Sequence, residues 1–223
     1  SGVEGDIAIA NAKLWSPQTP HLYQLKIYLY RSGKQVDYAE SYFAMRKSSL
    51  KKDAAGINRM ALNNKITFQY GPLDQGWWPD GLFTAPTDEA LLFDIVKTKE
   101  MGFNMIRKHI KLEPARWYYY CDSVGVMVWQ DMPSGDLGGN RWDMRPGQIS
   151  GNNRDKERSA ESEAYYRKEW KAIMDAAHNF PSIVVWVPFN EAWGQFKTKE
   201  ITDWTMKYDP SRLVNSTSGG NFF

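Results

Sequence analysis

The sequence predicts an α/β fold: the N-terminal portion, about five strands, of a (β/α)8 TIM barrel, preceded by the end of a β-sandwich. Three observations predict it. From residue 66 onward, short apolar runs alternate with amphipathic helical stretches, a βαβ grammar that demands parallel strands and right-handed crossovers. Before that, the chain alternates residue by residue and breaks at turn pairs, as antiparallel strands do. Finally, the first strand of the α/β part runs into "YGPLDQGWWPDG", with Pro72 and two tryptophans where a dinucleotide-binding turn would need Gly-x-Gly-x-x-Gly. That favours a barrel over a doubly wound sheet. Residues 66–223 are too few for a whole barrel of ~250 residues, so the chain is expected to end mid-barrel.

The elements follow in order. In "LYQLKIYLYRSGKQVDYAESYFAMRK", Leu25, Ile27 and Leu29 alternate with Lys26, Tyr28 and Tyr30, a turn falls at 31–34, and alternation resumes through Val36 and Tyr38. So few strands make no stable sandwich alone, and residues 1–50 read as the last strands of a sandwich domain, with residues 51–223 as the partial barrel. A second hairpin turns at Asn63-Asn64, and 66–70 is the expected first barrel strand. Thr87 caps a helix carrying Leu91, Leu92, Ile95, Val96 and Lys99 on one face, and Gly102 stops it. Strands follow at 103–107 and 126–130, separated by a helix that Pro114 opens, Trp117, Tyr120, Cys121 and Val124 bury, and Gly125 closes. A helix from about Ser159 buries Tyr166, Trp170, Ile173 and Ala177; the strand "IVVWV" comes next, then a helix with Ile201, Trp204, Thr205 and Tyr208, and a fifth strand at 212–216.

Composition narrows the function. Hydrophobic residues make up 42%, enough for a sizeable core rather than a disordered chain. The net charge of +2 is scattered without a basic stripe, so no nucleic-acid partner is expected, and no run of ~18 apolar residues suggests a membrane span. Cys121 is alone and sits at an apolar helix position, so it reads as a buried thiol. His21, His109 and His178 lack ligand spacing, so neither a metal nor a cofactor is expected. The start, "SGVEGD", reads as a cut within a longer chain, and the lack of a signal peptide says nothing of export. Ten tryptophans suit either large cores or stacking on planar ligands such as sugar rings.

Barrel chemistry sits at the C-terminal ends of the strands. Those ends read 70–76 with Trp77 and Trp78, then Arg107-Lys108-His109, Asp131, Asn190-Glu191 and Asn215-Ser216, a polar set on apolar strands. Gathering such groups at one rim is costly unless they are paired or functional. The long Gly- and Arg-rich stretch between Asp131 and Ser159 reads as a loop covering the site.

Asn190-Glu191 after "PSIVVW" resembles the acid/base signature of glycoside hydrolase family 2, which contains β-galactosidases, β-glucuronidases and β-mannosidases. "LWSPQTPHLYQLKIYLY" and "YFAMRK" resemble the last strands of that family's immunoglobulin-like domain. "LNNKITFQYG", "MGFNMIRKH", "YYYCDSVGVMVWQDMP" and "DPSRLV" resemble its first, second, third and fifth barrel strands with their approaches. The resemblance implies a retaining glycosidase, β-galactosidase-like by default, with a carbohydrate as partner. Glu191 would be the general acid and then base, its pKa raised by Trp186 or Trp193. Asn190 would donate to the sugar 2-hydroxyl, while Arg107 and Asp131 hold the floor of the site or merely pair at the rim. Trp77, Trp78 or Trp193 would stack on a sugar or pack in the core. Polysaccharide-degrading members are often exported, which leans toward a periplasmic or secreted location.

Departures from the family pattern bear on the sugar. "KHIKLEP" follows Arg107 where many members carry Ser-His-Tyr-Pro, displacing His109 and adding Lys111; Phe189 replaces a common glycine. Lys108 or Lys111 would either favour an acidic sugar or stand solvated at the rim. A retaining mechanism also needs a second carboxylate. Beyond Glu191 the acids are Glu200, Asp203 and Asp209, none at a strand end, so the nucleophile is expected outside this chain and normal turnover is not expected from it. The alternative is a catalytically silent carbohydrate-binding or scaffold protein of the same fold.

Overall fold

The computed structural model describes residues 5–135, 155, 157–190 and 194–218. Tyr23–Arg31 (β1) and Lys34–Phe43 (β2) form an antiparallel ribbon. Its turn places Ser32 at φ +49° and Gly33 at φ +77°, the doubly left-handed geometry whose twist matches paired strands. Ile27, Leu29 and Val36 on this ribbon are exposed, and among the described residues β1 and β2 form a two-stranded sheet. Ser48–Lys52 (β3), Asn58–Leu62 (β4) and Lys65–Ile66 (β5) form a second antiparallel sheet. Asn63 and Asn64 turn it at φ +52° and +63°, a region asparagine tolerates.

The third sheet is parallel: Leu73–Asp74 (β6), Met105–Lys108 (β7), Met127–Asp131 (β8), Ile183–Val187 (β9) and Leu213–Val214 (β10). Helices Asp88–Glu100 (α1), Ala115–Val124 (α2), Ala160–Ala177 (α3) and Thr198–Tyr208 (α4) connect the strands. The spatial order is β10-β9-β8-β7-β6, so neighbours in sequence are neighbours in space throughout. A doubly wound sheet would reverse at a switch point. This order is that of a barrel wall.

Local chemistry sets the helix ends. Thr87 Oγ1 accepts from Ala90 N at 3.2 Å, and Ser159 Oγ accepts from Ser162 N at 3.1 Å, each satisfying an orphan donor. Gly125 ends α2 at φ +84°, and a Cβ there would lie 2.7 Å from the Pro17 carbonyl oxygen, so the position both turns the chain and admits the N-terminal segment.

The first barrel strand is displaced from the expected 66–70. Lys65–Ile66 pairs instead with β4, and the parallel ladder begins at Leu73. The intervening chain still tracks β7: Asn104 N donates to Tyr70 O and Arg107 N to Pro72 O, both at 3.0 Å. Pro72 has no N–H to return, so the pairing is one-sided there. Gly71 passes so close that a Cβ would lie 1.7 Å from the Met105 carbonyl oxygen. The fifth strand is likewise shorter than 212–216, though a Phe189–Thr217 bridge carries the contact past its end.

Two apolar layers sandwich the wall. Met105, Met127, Val185 and Val187 form the inner layer. Ile106, Val128 and Trp186 pack outward against Trp117 and Cys121 of α2, Trp170 of α3 and Ile201 of α4. Burial pushes the Cys121 thiol well up, which suits an inert core residue. The N-terminal segment closes the opposite end of the sheet from the site. Trp15 is fully buried and donates Nε1 to Asp122 O at 2.8 Å, while Tyr42 Oη donates to Asp122 Oδ2 at 2.7 Å. The Arg46 guanidinium donates to the carbonyls of Pro181, Ile183 and Ser211 at 2.7–3.0 Å. Among the described residues no helix is long and apolar enough to cross a membrane.

Candidate active site

Strand alternation decides which side chains face the barrel interior. In β7, Met105 and Arg107 point inward while Ile106 and Lys108 point under the helices; in β8, Met127, Trp129 and Asp131 point inward while Val128 and Gln130 do not. Arg107 and Asp131 therefore meet across paired strands. Arg107 Nε donates to Asp131 Oδ1 at 2.9 Å and Nη2 donates to Oδ2 at 2.7 Å. The same Nη2 reaches Asn190 Oδ1 at 2.8 Å, and Ser218 Oγ donates to that oxygen at 3.0 Å. Two donors on Oδ1 settle the amide's orientation: Nδ2 is the end left to donate, and no described residue accepts from it.

His109 joins this group less tightly. Its Nδ1 lies 3.3 Å from Asp131 Oδ2 without forming a hydrogen bond. Ile110 N donates to the same oxygen at 3.2 Å from a backbone at φ +42°. A β-branched residue there is strained by about 1–3 kcal/mol, and the strain accompanies aiming that N–H at Asp131. Arg107, Asp131, Asn190 and His109 are thus brought together at one rim.

Lys108 and Lys111 are neither solvated nor offered to a ligand. Lys108 is 1% exposed; its Nζ donates to Asp74 Oδ2 at 2.6 Å and Glu113 Oε1 at 2.9 Å, and lies 4.4 Å from the Trp117 ring centroid. Lys111 Nζ donates to Gly76 O at 2.7 Å and Phe83 O at 2.8 Å and pairs with Glu113 Oε1 at 2.9 Å. Buried cations are tolerated when fully partnered, as both are. The Ile106–Lys108 parity was the available signal for Lys108; its partners were not readable locally.

The tryptophans divide. Trp77 is exposed on the loop after β6, 4.1 Å from Phe83 between ring centroids. Trp78 is half-buried against the outer core, and its Nε1 has no partner among the described residues. Trp186 faces the helices, donating Nε1 to Asp209 Oδ2 at 2.8 Å and packing edge-on to Trp170, so it does not desolvate the site. Asp209 in turn pairs with Arg212 Nη1 at 2.7 Å. Glu191 and Trp193 lie outside the described residues, as do 136–154 and 156 of the long loop. The chain on either side of 191–193 is held: Asn190 as above, and Gly194 by Arg158, whose Nε donates to Gly194 O at 3.0 Å and whose guanidinium stacks on Phe196 at 4.5 Å. Sequence reasoning missed Arg158, which carried no periodic or motif signal. Among the described residues no cluster of His, Cys, Asp or Glu is arranged to hold a metal ion.

The model for the glycosyl hydrolases family 2 TIM barrel domain matches residues 84–221, and a further glycosyl hydrolases family 2 model matches residues 2–46. The chain belongs to glycosyl hydrolase family 2. Its family 2 relatives include a β-galactosidase of Lactococcus lactis subsp. lactis, 26% identical over 221 residues, which cover 98% of this chain and 20% of that protein. Among solved structures, a β-D-glucuronidase of Dictyoglomus thermophilum aligns with TM-score 0.74 at 18% identity, covering 92% of this chain and 34% of that one. A β-galacturonidase from Eisenbergiella tayi bound to galacturonate aligns with TM-score 0.73 at 20% identity, covering 95% and 35%. At these identities the structural likeness speaks for the fold. The chain spans about a fifth of the length of the curated relatives it matches.

Proposed function

We propose that these family 2 barrel strands carry the acid/base half of a retaining β-glycosidase acting on terminal β-linked sugars, β-galactosides by default. Glu191 is the general acid that protonates the glycosidic oxygen and then the base that activates water. The observation that supports this reading is the fixed Asn190 amide: Arg107 and Ser218 occupy its Oδ1, leaving Nδ2 to donate to a sugar hydroxyl beside Glu191. A bond to the 2-hydroxyl strengthens in an oxocarbenium-like transition state. Arg107 and Asp131 hold this floor rather than touch the sugar, His109 lines it, and Trp77 stands exposed on the loop after β6. Because Lys108 and Lys111 are already paired, they offer nothing to a uronate carboxylate, which supports the neutral-sugar default.

The nucleophile must sit about 5–5.5 Å from the acid/base. The described carboxylates at these strand ends are committed: Asp131 to Arg107, Asp74 to Lys108, and Glu113 to both lysines. None of these described carboxylates is therefore free to act as the nucleophile; the division between sandwich strands and barrel is read near residue 50. In the intact protein, Glu191→Gln should cut kcat on an alkyl β-galactoside by about 10²–10⁴-fold, with less effect on a dinitrophenyl glycoside whose leaving group needs no proton. Equal losses on both substrates, or none, would exclude the acid/base role.

A further inference from the structure

The loop between β6 and α1 presents two exposed rings. Trp77 and Phe83, each 55% exposed, stand with centroids 4.1 Å apart and planes tilted by 42°. Beneath them the loop is pinned by one side chain. Lys111 Nζ donates to the carbonyl oxygens of Gly76 and Phe83, which bracket the segment, at 2.7 and 2.8 Å. Its remaining contact is ionic, with Glu113 Oε1 at 2.9 Å, and the Lys111 side chain is only 8% exposed. The ammonium also lies 5.5 Å from the Phe83 ring centroid. The clasp closes over a glycine, Gly76, at φ +65°, where a Cβ would be strained and would displace Glu113 Oε1, 2.4 Å away, and Lys111 Nζ, 2.8 Å away. Glu113 is itself steadied by Lys108 at 2.9 Å. Burying a cation to hold two loop carbonyls costs desolvation that a loop free to move would not require.

We propose that Lys111 is a positioning residue that holds Trp77, backed by Phe83, as a rigid surface on which a sugar ring stacks at the mouth of the site. The proposal rests on the carbohydrate reading of that site. The loop leaves the C-terminal end of β6, on the rim that also presents Arg107 and Asn190. A pyranose lays its C–H face on an aromatic ring while its hydroxyls stay in water, which suits a small, half-exposed aromatic pair. Holding the rings in place before binding removes the ordering cost that a mobile loop would incur. Lys111 therefore acts on affinity through Trp77 and not on the proton transfer.

The test is a double-mutant cycle on the intact protein, with the hydrolysis-resistant probes phenyl 1-thio-β-D-galactopyranoside and phenyl 1-thio-β-D-glucuronide titrated by calorimetry. Trp77→Ala should weaken binding of at least one probe about 10-fold, and Lys111→Met should weaken it similarly when Trp77 is present but by less than about 2-fold when it is absent. Lys111→Arg, whose fork can reach both carbonyls, should restore most of the affinity. If Lys111→Met does not fold, Gly76→Ala opens the same clasp with every ion-pair partner retained, and its cycle with Trp77→Ala decides. Equal losses with and without Trp77, unchanged affinity in every variant, or binding of neither probe would overturn the proposal. Coupled losses in a protein that hydrolyses neither O-glycoside would leave the platform standing and remove the hydrolase reading instead.

Discussion

Arg107 and Asp131 face each other through two parallel hydrogen bonds, Nε to Oδ1 at 2.9 Å and Nη2 to Oδ2 at 2.7 Å. Asp131 is fully buried, and the Nη2 of Arg107 also holds Asn190. One planar group thus ties the end of β7, the end of β8 and the residue preceding Glu191. A lysine carries the charge without the fork. Arg107→Lys should therefore lower kcat/KM of the intact protein by about 10²-fold, because a misplaced amide loses its near-attack geometry. Steady-state kinetics within about 2-fold of wild type would mean that the fork does not orient Asn190.

Asn190 supplies a sharper test of the same floor. Asn190→Asp keeps an acceptor for Arg107 and Ser218 but removes the Nδ2 donor, so it should lower kcat by about 10²-fold, as removal of one transition-state donor does. On a 2-deoxy-β-glycoside, which lacks the hydroxyl in question, wild type and Asn190→Asp should differ little. A full loss on the 2-deoxy substrate would assign Asn190 another partner.

Lys108 should matter for stability and not for substrate choice. Removing one member of a buried pair leaves an uncompensated charge, so Lys108→Met, which leaves the Asp74 carboxylate with only the Gly76 N–H among the described residues and weakens the hold on Glu113, should destabilise the fold by about 3 kcal/mol. Urea unfolding measures this. A midpoint unchanged from wild type would show that the two carboxylates find other partners.

A fourth expectation concerns pH. Asp122 is fully buried where the N-terminal segment meets the barrel; burial pushes its carboxyl up to about 7, against hydrogen bonds from Ser182 and Tyr42 that pull it down. Because this lies above the unfolded value near 3.9, the folded state retains a proton that the unfolded chain releases. The contribution of Asp122 is therefore full below about pH 4 and is lost as pH rises through about 7, at up to about 1.4 kcal/mol per pH unit within that window. Asp122→Asn keeps an Oδ1 acceptor for Ser182 N and carries no titrating proton, its Nδ2 donating to Tyr42 Oη in place of the bond that Tyr42 donates in the wild type. Its melting temperature should rise relative to wild type between pH 4 and 8; parallel curves would refute this.

Much of the fold was legible because its signals are local. Thr87, Ser159 and Gly125 mark helix ends through bonds and φ angles made within a few residues, and Asn63-Asn64 needs only its own backbone to turn. The first barrel strand was misplaced because 66–70 has strand-like composition, while pairing with β4 and the missing N–H of Pro72 decided where the ladder starts. At the site, Arg107, Asp131 and Asn190 could be chosen in advance, since a barrel collects its strand ends on one rim.

Lys108 and Trp186 mark where such reasoning stops. Alternation turns each away from the barrel interior, but their partners, Asp74 and Asp209, lie 34 and 23 residues away in sequence. The sequence by itself determined the order of strands and helices, the helix ends at Thr87, Gly125 and Ser159, and the Asn190-Glu191 pair after β9. These follow from periodicity and backbone chemistry, which act over a few residues. Only the tertiary structure decided which charges neutralise each other and which rings stay exposed, because electrostatic partnership depends on distance in space after the strands are laid side by side.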